Sequence, residues 1–146
     1  MYMQRRLTIF FVALLFSIMA GISQAAEKTV EFKGGEGFED ARGKAAITDA
    51  GRGQKEIRLD ASGLKPDSVY TFWFMNEQPK MEMSGVGRPD YSFRSDSQGN
   101  ASYTAIVPAE ELERWQELDI AYHPEGDPKN LANIEIALAG DLQERG

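Results

Sequence analysis

The stretch "SVYTFWFM", residues 68–75, decides the fold because it is apolar on both sides of an extended chain. Alternate residues of a β-strand point to opposite faces of the sheet. One face therefore carries Val69, Thr71, Trp73 and Met75, and the other carries Tyr70, Phe72 and Phe74. A strand that must be buried on both faces belongs in the interior of a sheet. We therefore predict a central strand at this position.

The segments on either side alternate between apolar and polar residues, as half-buried strands do. They are "KTVEFKG" (28–34), "KAAITD" (44–49), "KEIRLDA" (55–61), "LDIAY" (118–122) and "NIEIALA" (133–139). Residues 90–107 have the pattern of a hairpin that turns at 96–100, and "PAEELERW" (108–115) has that of a short helix. This pattern predicts an all-β fold, an immunoglobulin-like antiparallel β-sandwich of about seven strands with one short helix.

The first 25 residues have the features of a signal peptide. Arg5 and Arg6 precede an apolar run, residues 7–20, and small residues at Ser23 and Ala25 suit a signal peptidase. The run is shorter than the roughly 20 residues that a membrane-spanning helix needs. We therefore expect general secretion, cleavage after Ala25, and a periplasmic or secreted single domain over residues 26–146 with no membrane anchor.

Composition excludes several classes of protein. The formal charge is −7 at pH 7, and loss of the leader removes two arginines and no acid. Without a basic stripe to displace counterions, the chain is not expected to bind nucleic acid. It contains no cysteine, which excludes disulfides, thiolate catalysis, thiolate metal sites and a lipid-modified cysteine.

Four segments resemble the extracytoplasmic domain of anti-sigma-K factors: "LKPDSVYTFWFMNE", "SDSQGNASYTAIV", "LDIAYHPEGDPKN" and "IEIALAG". In that family Leu-x-Pro precedes a Tyr-x-x-Trp strand, an Asp-x-x-Gly hairpin follows, and a late strand runs into a Pro-x-Gly loop. The matching positions are Leu64 and Pro66, Tyr70 and Trp73, Asp96 and Gly99, and Pro124 and Gly126. The resemblance, over roughly residues 60–142, implies a shared β-sandwich. The sigma-binding domain and membrane helix of that family have no counterpart here, so anti-sigma activity is not expected.

No stretch of the sequence has the pattern of a catalytic site. The single histidine, His123, precedes a loop, and there is no Gly-x-Ser-x-Gly motif to supply a nucleophile. We therefore expect a protein that is not an enzyme. We expect an exported binding or interaction module that presents its loops to an unknown envelope protein or small ligand.

Two groups of residues are candidate ligands. Met81 and Met83 in "PKMEMSG" could bind copper together with His123, because thioethers favour Cu(I). The same spacing also suits an edge strand that buries one side, so we expect no cofactor and treat copper handling as the alternative function. The loop after His123 offers Glu125, Asp127 and Asn130, which are oxygen ligands of the kind that calcium prefers.

The signal-peptide hypothesis predicts that the exported product begins at Ala26. Intact-mass measurement of protein recovered from the periplasm tests this directly. A product with the mass of the full 146-residue chain would contradict both cleavage and the predicted compartment.

Overall fold

The computed structural model describes residues 27–87 and 89–143, and the predicted leader lies outside them. It contains nine strands and one helix in those residues. In chain order they are β1 (Lys28–Gly34), β2 (Arg42–Gly51), β3 (Gln54–Ser62), β4 (Val69–Asn76), β5 (Glu82–Gly85), β6 (Ser92–Arg94), β7 (Ala101–Pro108), α1 (Ala109–Arg114), β8 (Glu117–His123) and β9 (Glu135–Asp141). None of the described helices is both long and apolar enough to cross a bilayer.

The strands form one antiparallel sheet in the order β5-β4-β8-β9-β1-β2-β3-β7, with β6 also paired to β4. The predicted all-β fold with one short helix is confirmed. The strands number nine rather than about seven, and β5, which contains Met83, is one of the additional strands. They are joined along a single hydrogen-bonded path, and the immunoglobulin-like arrangement stays a prediction.

Contacts between distant strands show that the sheet curls over a central core. Phe72 of β4 is fully buried, and its ring lies 6.3 Å from that of Phe32 in β1 and 5.9 Å from that of Tyr103 in β7. Because β1 and β7 lie three and six places from β4 in the sheet order, these rings can meet only across the inside of a curl. The aromatic residues of β4 therefore form the centre of the core.

The prediction that β4 is a central strand is confirmed. It pairs with β8 on one side and with β5 and β6 on the other. Its second face is buried as well, since Thr71 is 0% and Trp73 is 8% exposed. Trp73 is not part of the main core cluster, so it is buried on the opposite side of the sheet.

The 96–100 turn and the short helix lie where the sequence predicts them, but the predicted hairpin over residues 90–107 is wrong, because β6 pairs with β4 and β7 pairs with β3. In the 96–100 turn, the Asp96 carboxylate accepts hydrogen bonds from the backbone N–H groups of Gln98 and Asn100, both at 2.9 Å. Directly after α1, Trp115 stacks on Phe74 with ring centroids 5.9 Å apart. The helix thereby places an aromatic ring over one end of the core.

Candidate functional site

The side of the sheet turned away from the core carries most of the polar residues that the fold buries. Strand register places these side chains in rows across β5, β4, β8 and β9. One row runs Met83–Met75–Glu117–Asp141, the next runs Gly85–Trp73–Asp119–Ala139, and the last pairs Val69 with His123. We call this surface the outer face, and it is defined by Thr71, Trp73, Met75, Met83, Glu117, Asp119 and His123.

A chain of hydrogen bonds crosses the outer face. The indole Nε1–H of Trp73 donates to Thr71 Oγ1 at 2.7 Å, and Thr71 Oγ1 lies 2.7 Å from His123 Nε2. His123 Nδ1 lies 3.2 Å from the carbonyl oxygen of Asn130. Thr71 and His123 are almost completely buried, so each of these polar groups needs the partner it has.

These partners determine which nitrogen of His123 carries hydrogen in the neutral ring. A carbonyl oxygen only accepts, so Nδ1 donates to Asn130. Nε2 then accepts the hydroxyl hydrogen of Thr71, whose oxygen already receives the indole N–H of Trp73. Both ring nitrogens are occupied, and neither is free to bind a metal or to act as a general base in this arrangement.

The predicted loop ligands after His123 hold the loop together. Asn130 donates through its side-chain amide to Glu125 and accepts through its side-chain oxygen from Ala132 N–H at 3.0 Å. Asp127 accepts from Lys129 N–H at 3.0 Å. These bonds position the Asn130 carbonyl over His123, so the loop acts in this structure as a support for the histidine. Ligand binding by Glu125, Asp127 and Asn130 stays a prediction.

Asp119, which sequence reasoning did not identify as a site residue, is the most unusual group on the outer face. Its side chain is 4% exposed, and its Oδ1 has no hydrogen-bond partner among the described residues. Burial, reinforced by the neighbouring carboxylates of Glu117 and Glu77, raises the pKa of Asp119 to about 7. Near neutral pH the carboxyl group is therefore partly protonated. The sequence signal for a buried acid at this position is that Asp119 lies between apolar residues in "LDIAY".

The structure does not bring Met81, Met83 and His123 together. Met83 pairs with Met75 at one end of β4, whereas His123 pairs with Val69 at the other end. Six residues of an extended strand span about 20 Å, which is too far for one ion. Within residues 27–87 and 89–143, no group of three or more His, Cys, Asp or Glu side chains is placed to hold a metal.

Met81 and Met83 are both solvent-accessible. Met81 is 73% and Met83 is 38% exposed, and both belong to the few large apolar side chains that the described surface exposes. The alternative expected from the sequence was that Met81 and Met83 form the buried side of an edge strand. The structure instead leaves both thioethers accessible, so burying apolar area does not explain them.

Comparison with known proteins gives no functional assignment for this chain. No protein-family model matches the chain, and no curated protein sequence matches it either.

The hydrogen-bond chain predicts a large effect for Thr71→Val, which keeps the shape but removes the hydroxyl. The buried Trp73 N–H and His123 Nε2 would each lose a partner, at a combined cost of about 2 kcal/mol or more. Chemical denaturation measures this loss. The matched control is Thr104→Val on the exposed side of β7, which should change the free energy of unfolding by no more than about 0.5 kcal/mol. Equal effects of the two substitutions would contradict the structural importance of the chain.

The raised pKa of Asp119 predicts that the free energy of unfolding depends on pH. Because its pKa in the folded protein is raised to about 7, the folded state holds a proton that the unfolded state has lost. The stabilisation is present at low pH and is lost as the pH rises through 7. Between about pH 5.5 and about pH 8.5 the free energy of unfolding should fall by about 2 kcal/mol from this group.

Asp119→Asn should flatten this profile, because an amide does not titrate in the range. Asp141→Asn is the control, since Asp141 lies in the neighbouring row and is exposed. That variant should keep the wild-type slope. Urea unfolding at several pH values gives the comparison, and an unchanged slope in Asp119→Asn would contradict the assignment.

Proposed function

We propose that this chain is an exported, non-catalytic binding module, and that its ligand is bound at the outer face where Trp73, Met75, Met83 and Asp119 lie. The observation that carries the proposal is the buried polar layer on that face. A sheet with one hydrophobic core needs apolar side chains only on its inner side, and burying polar groups costs free energy unless each is hydrogen-bonded. The outer face nevertheless buries Thr71, Asp119 and His123.

The layer holds Trp73 in a single orientation, as a binding surface requires. Its indole is hydrogen-bonded to Thr71 and lies 5.4 Å from the ring of Tyr91. Tyr91 is in turn packed over Gly85, where ring atoms lie 2.1 Å from the position that a Cβ would take. Side chains that are ordered before binding lose less entropy when the ligand arrives.

The accessible part of this surface is the corner around Met83. An open cleft of about 420 Å³ lies at the sheet edge beside Met83, lined by Glu82, Met83, Ser84, Glu111, Arg114 and Trp115. It extends to the core side of the sheet, because Ser84 is paired with Phe74 and Trp115 stacks on Phe74. Met75 and Glu117 are half-buried next to this corner. Ordered aromatic side chains, accessible thioethers and carboxylates are thus available within one region.

The chemistry of the chain supports a non-catalytic role. His123 is the only imidazole and the chain has no cysteine, and both nitrogens of His123 are engaged in supporting the fold. Export rests on the leader at residues 1–25, and the acidic charge disfavours nucleic acid as the ligand. The partner class is an envelope protein or a small ligand. The resemblance to the extracytoplasmic domain of anti-sigma-K factors supports the sandwich alone.

The proposal predicts that a fraction of envelope extract raises the melting temperature of the purified protein. A ligand at a concentration about 100 times its Kd stabilises the folded state by about 2.7 kcal/mol, which is a shift of several degrees in a domain of this size. High-mass and low-mass fractions are measured separately by differential scanning calorimetry, because they distinguish a protein partner from a small ligand.

A pair of matched variants locates the site. Met83→Arg places a long charged side chain on the outer face, whereas Ile106→Arg places the same group on β7, where Ile106 is 55% exposed. The shift should be lost in the first and kept in the second. If neither fraction shifts the wild-type protein, or if both variants keep the shift, the proposed function is wrong.

A further inference from the structure

We propose that the outer face binds a soft monovalent cation, Cu(I) or Ag(I), through the thioether sulfurs of Met75, Met81 and Met83. This inference rests on the proposed function and names the ligand class for the same surface. It differs from the copper hypothesis drawn from the sequence, because Met75 takes the place of His123.

Strand pairing places the side chains of Met75 and Met83 side by side. Met75 of β4 and Met83 of β5 are directly opposite in the register, which places their Cβ atoms roughly 4.5–5.5 Å apart. Met81 lies directly before β5, two residues from Met83, and it is 73% exposed. Methionine has three rotatable side-chain bonds, so sulfurs that start from these positions can converge on one ion.

The convergence involves every methionine beyond the predicted leader. The chain has six methionines, and three of them lie within residues 1–25. The other three all lie at one corner of the sheet. Core packing does not require this arrangement, since none of the three belongs to the hydrophobic core cluster. Met81 and Met83 are exposed to solvent and Met75 is half-buried beside Met83, so an ion can approach the group from solvent.

The electrostatic surroundings favour a positive charge at this corner. Glu117 of β8 is paired directly with Met75 of β4, so its side chain lies on the same face of the sheet. Asp119 is one row further along and buried; its carboxyl group is hydrogen-bonded to Glu117, and its Oδ1 has no partner among the described residues. Two cations lie nearby: Lys80 is 3.7 Å from Glu82, and Arg114 lines the cleft beside Met83 together with Glu82 and Glu111. Carboxylates close to neutral sulfurs give a negative potential that stabilises a bound cation.

The donor set selects a soft ion over a hard one. Thioethers favour Cu(I), whereas calcium and magnesium require several oxygen ligands. No described group of three or more acids or histidines is placed to supply such a hard site. Zn²⁺, which binds mainly to thiolate, imidazole and carboxylate groups, should therefore not compete.

Metal titration of protein purified from expression of the full-length chain tests the inference. Ag(I) is added as a redox-stable probe and followed by calorimetry, and Cu(I) is measured under reducing conditions against a chromogenic Cu(I) chelator. We expect one ion per chain. Each of three substitutions should weaken binding of the ion about tenfold or more: Met75→Leu, Met81→Leu and Met83→Leu. Loss of an outer-shell partner already lowers metal affinity by about tenfold, and loss of a direct ligand should lower it at least as much.

The three variants should keep the wild-type circular dichroism spectrum, because methionine and leucine have similar volumes. Ile106→Leu is the control for an exposed apolar side chain elsewhere on the sheet, and it should bind like the wild-type protein. Equal weakening in Ile106→Leu, or displacement of Ag(I) by Zn²⁺, would overturn the inference. Absence of stoichiometric binding, or full binding in any of the three methionine variants, would also overturn it.

The experiments distinguish failure of the thioether site from failure of the proposed binding module. If envelope extract stabilises the protein through Met83 but neither Ag(I) nor Cu(I) binds, the thioether site is wrong and the binding module stands. If neither the extract nor the ions bind, both are wrong.

Discussion

The need to bury β4 on both faces is the constraint on which the rest of the structure depends. One face of this strand supplies the aromatic centre of the core, where Phe72 meets rings from β1 and β7. That contact requires the sheet to curl, because β1 and β7 are distant from β4 in the sheet order. The opposite face must then be covered by something other than the core. Tyr91 and the loop over residues 124–134 provide that cover.

Covering the second face with loops explains why its polar residues are connected to one another. A loop brings backbone carbonyls and N–H groups with it, and these need partners as much as buried side chains do. Thr71 serves Trp73 and His123 at once, and His123 ties the sheet to the Asn130 carbonyl. The histidine therefore joins β8 to the loop that follows it. Asp119 is the exception, because one of its oxygens is buried without a partner among the described residues. Groups of this kind occur more often at functional sites than elsewhere.

The functional proposals both depend on the short edge strand β5. Its pairing with β4 carries Met83 next to Met75, and its outward side is left accessible to solvent. Exposed thioethers on an edge strand add no core packing, while they offer soft ligands at a corner rich in carboxylates. A rigid sheet is a better support for such ligands than a mobile loop, because strand pairing holds the backbone of both ligand-bearing segments. The opposite end of β4, where His123 lies, is by contrast closed and internally hydrogen-bonded.

The sequence by itself determined the all-β class, the central strand, the 96–100 turn and the short helix. These follow from alternation, turn residues, and the proline and acidic residues at the start of the helix, which are local properties of the chain. It also placed Met75 on the same face as Trp73, since residues two apart in a strand share a side. Only the tertiary structure decided that Met83 lies beside Met75, that His123 lies at the far end of β4, and that Asp119 is buried. Register between strands is set by loop closure and by packing across the curled sheet, and no local spacing of residues specifies it.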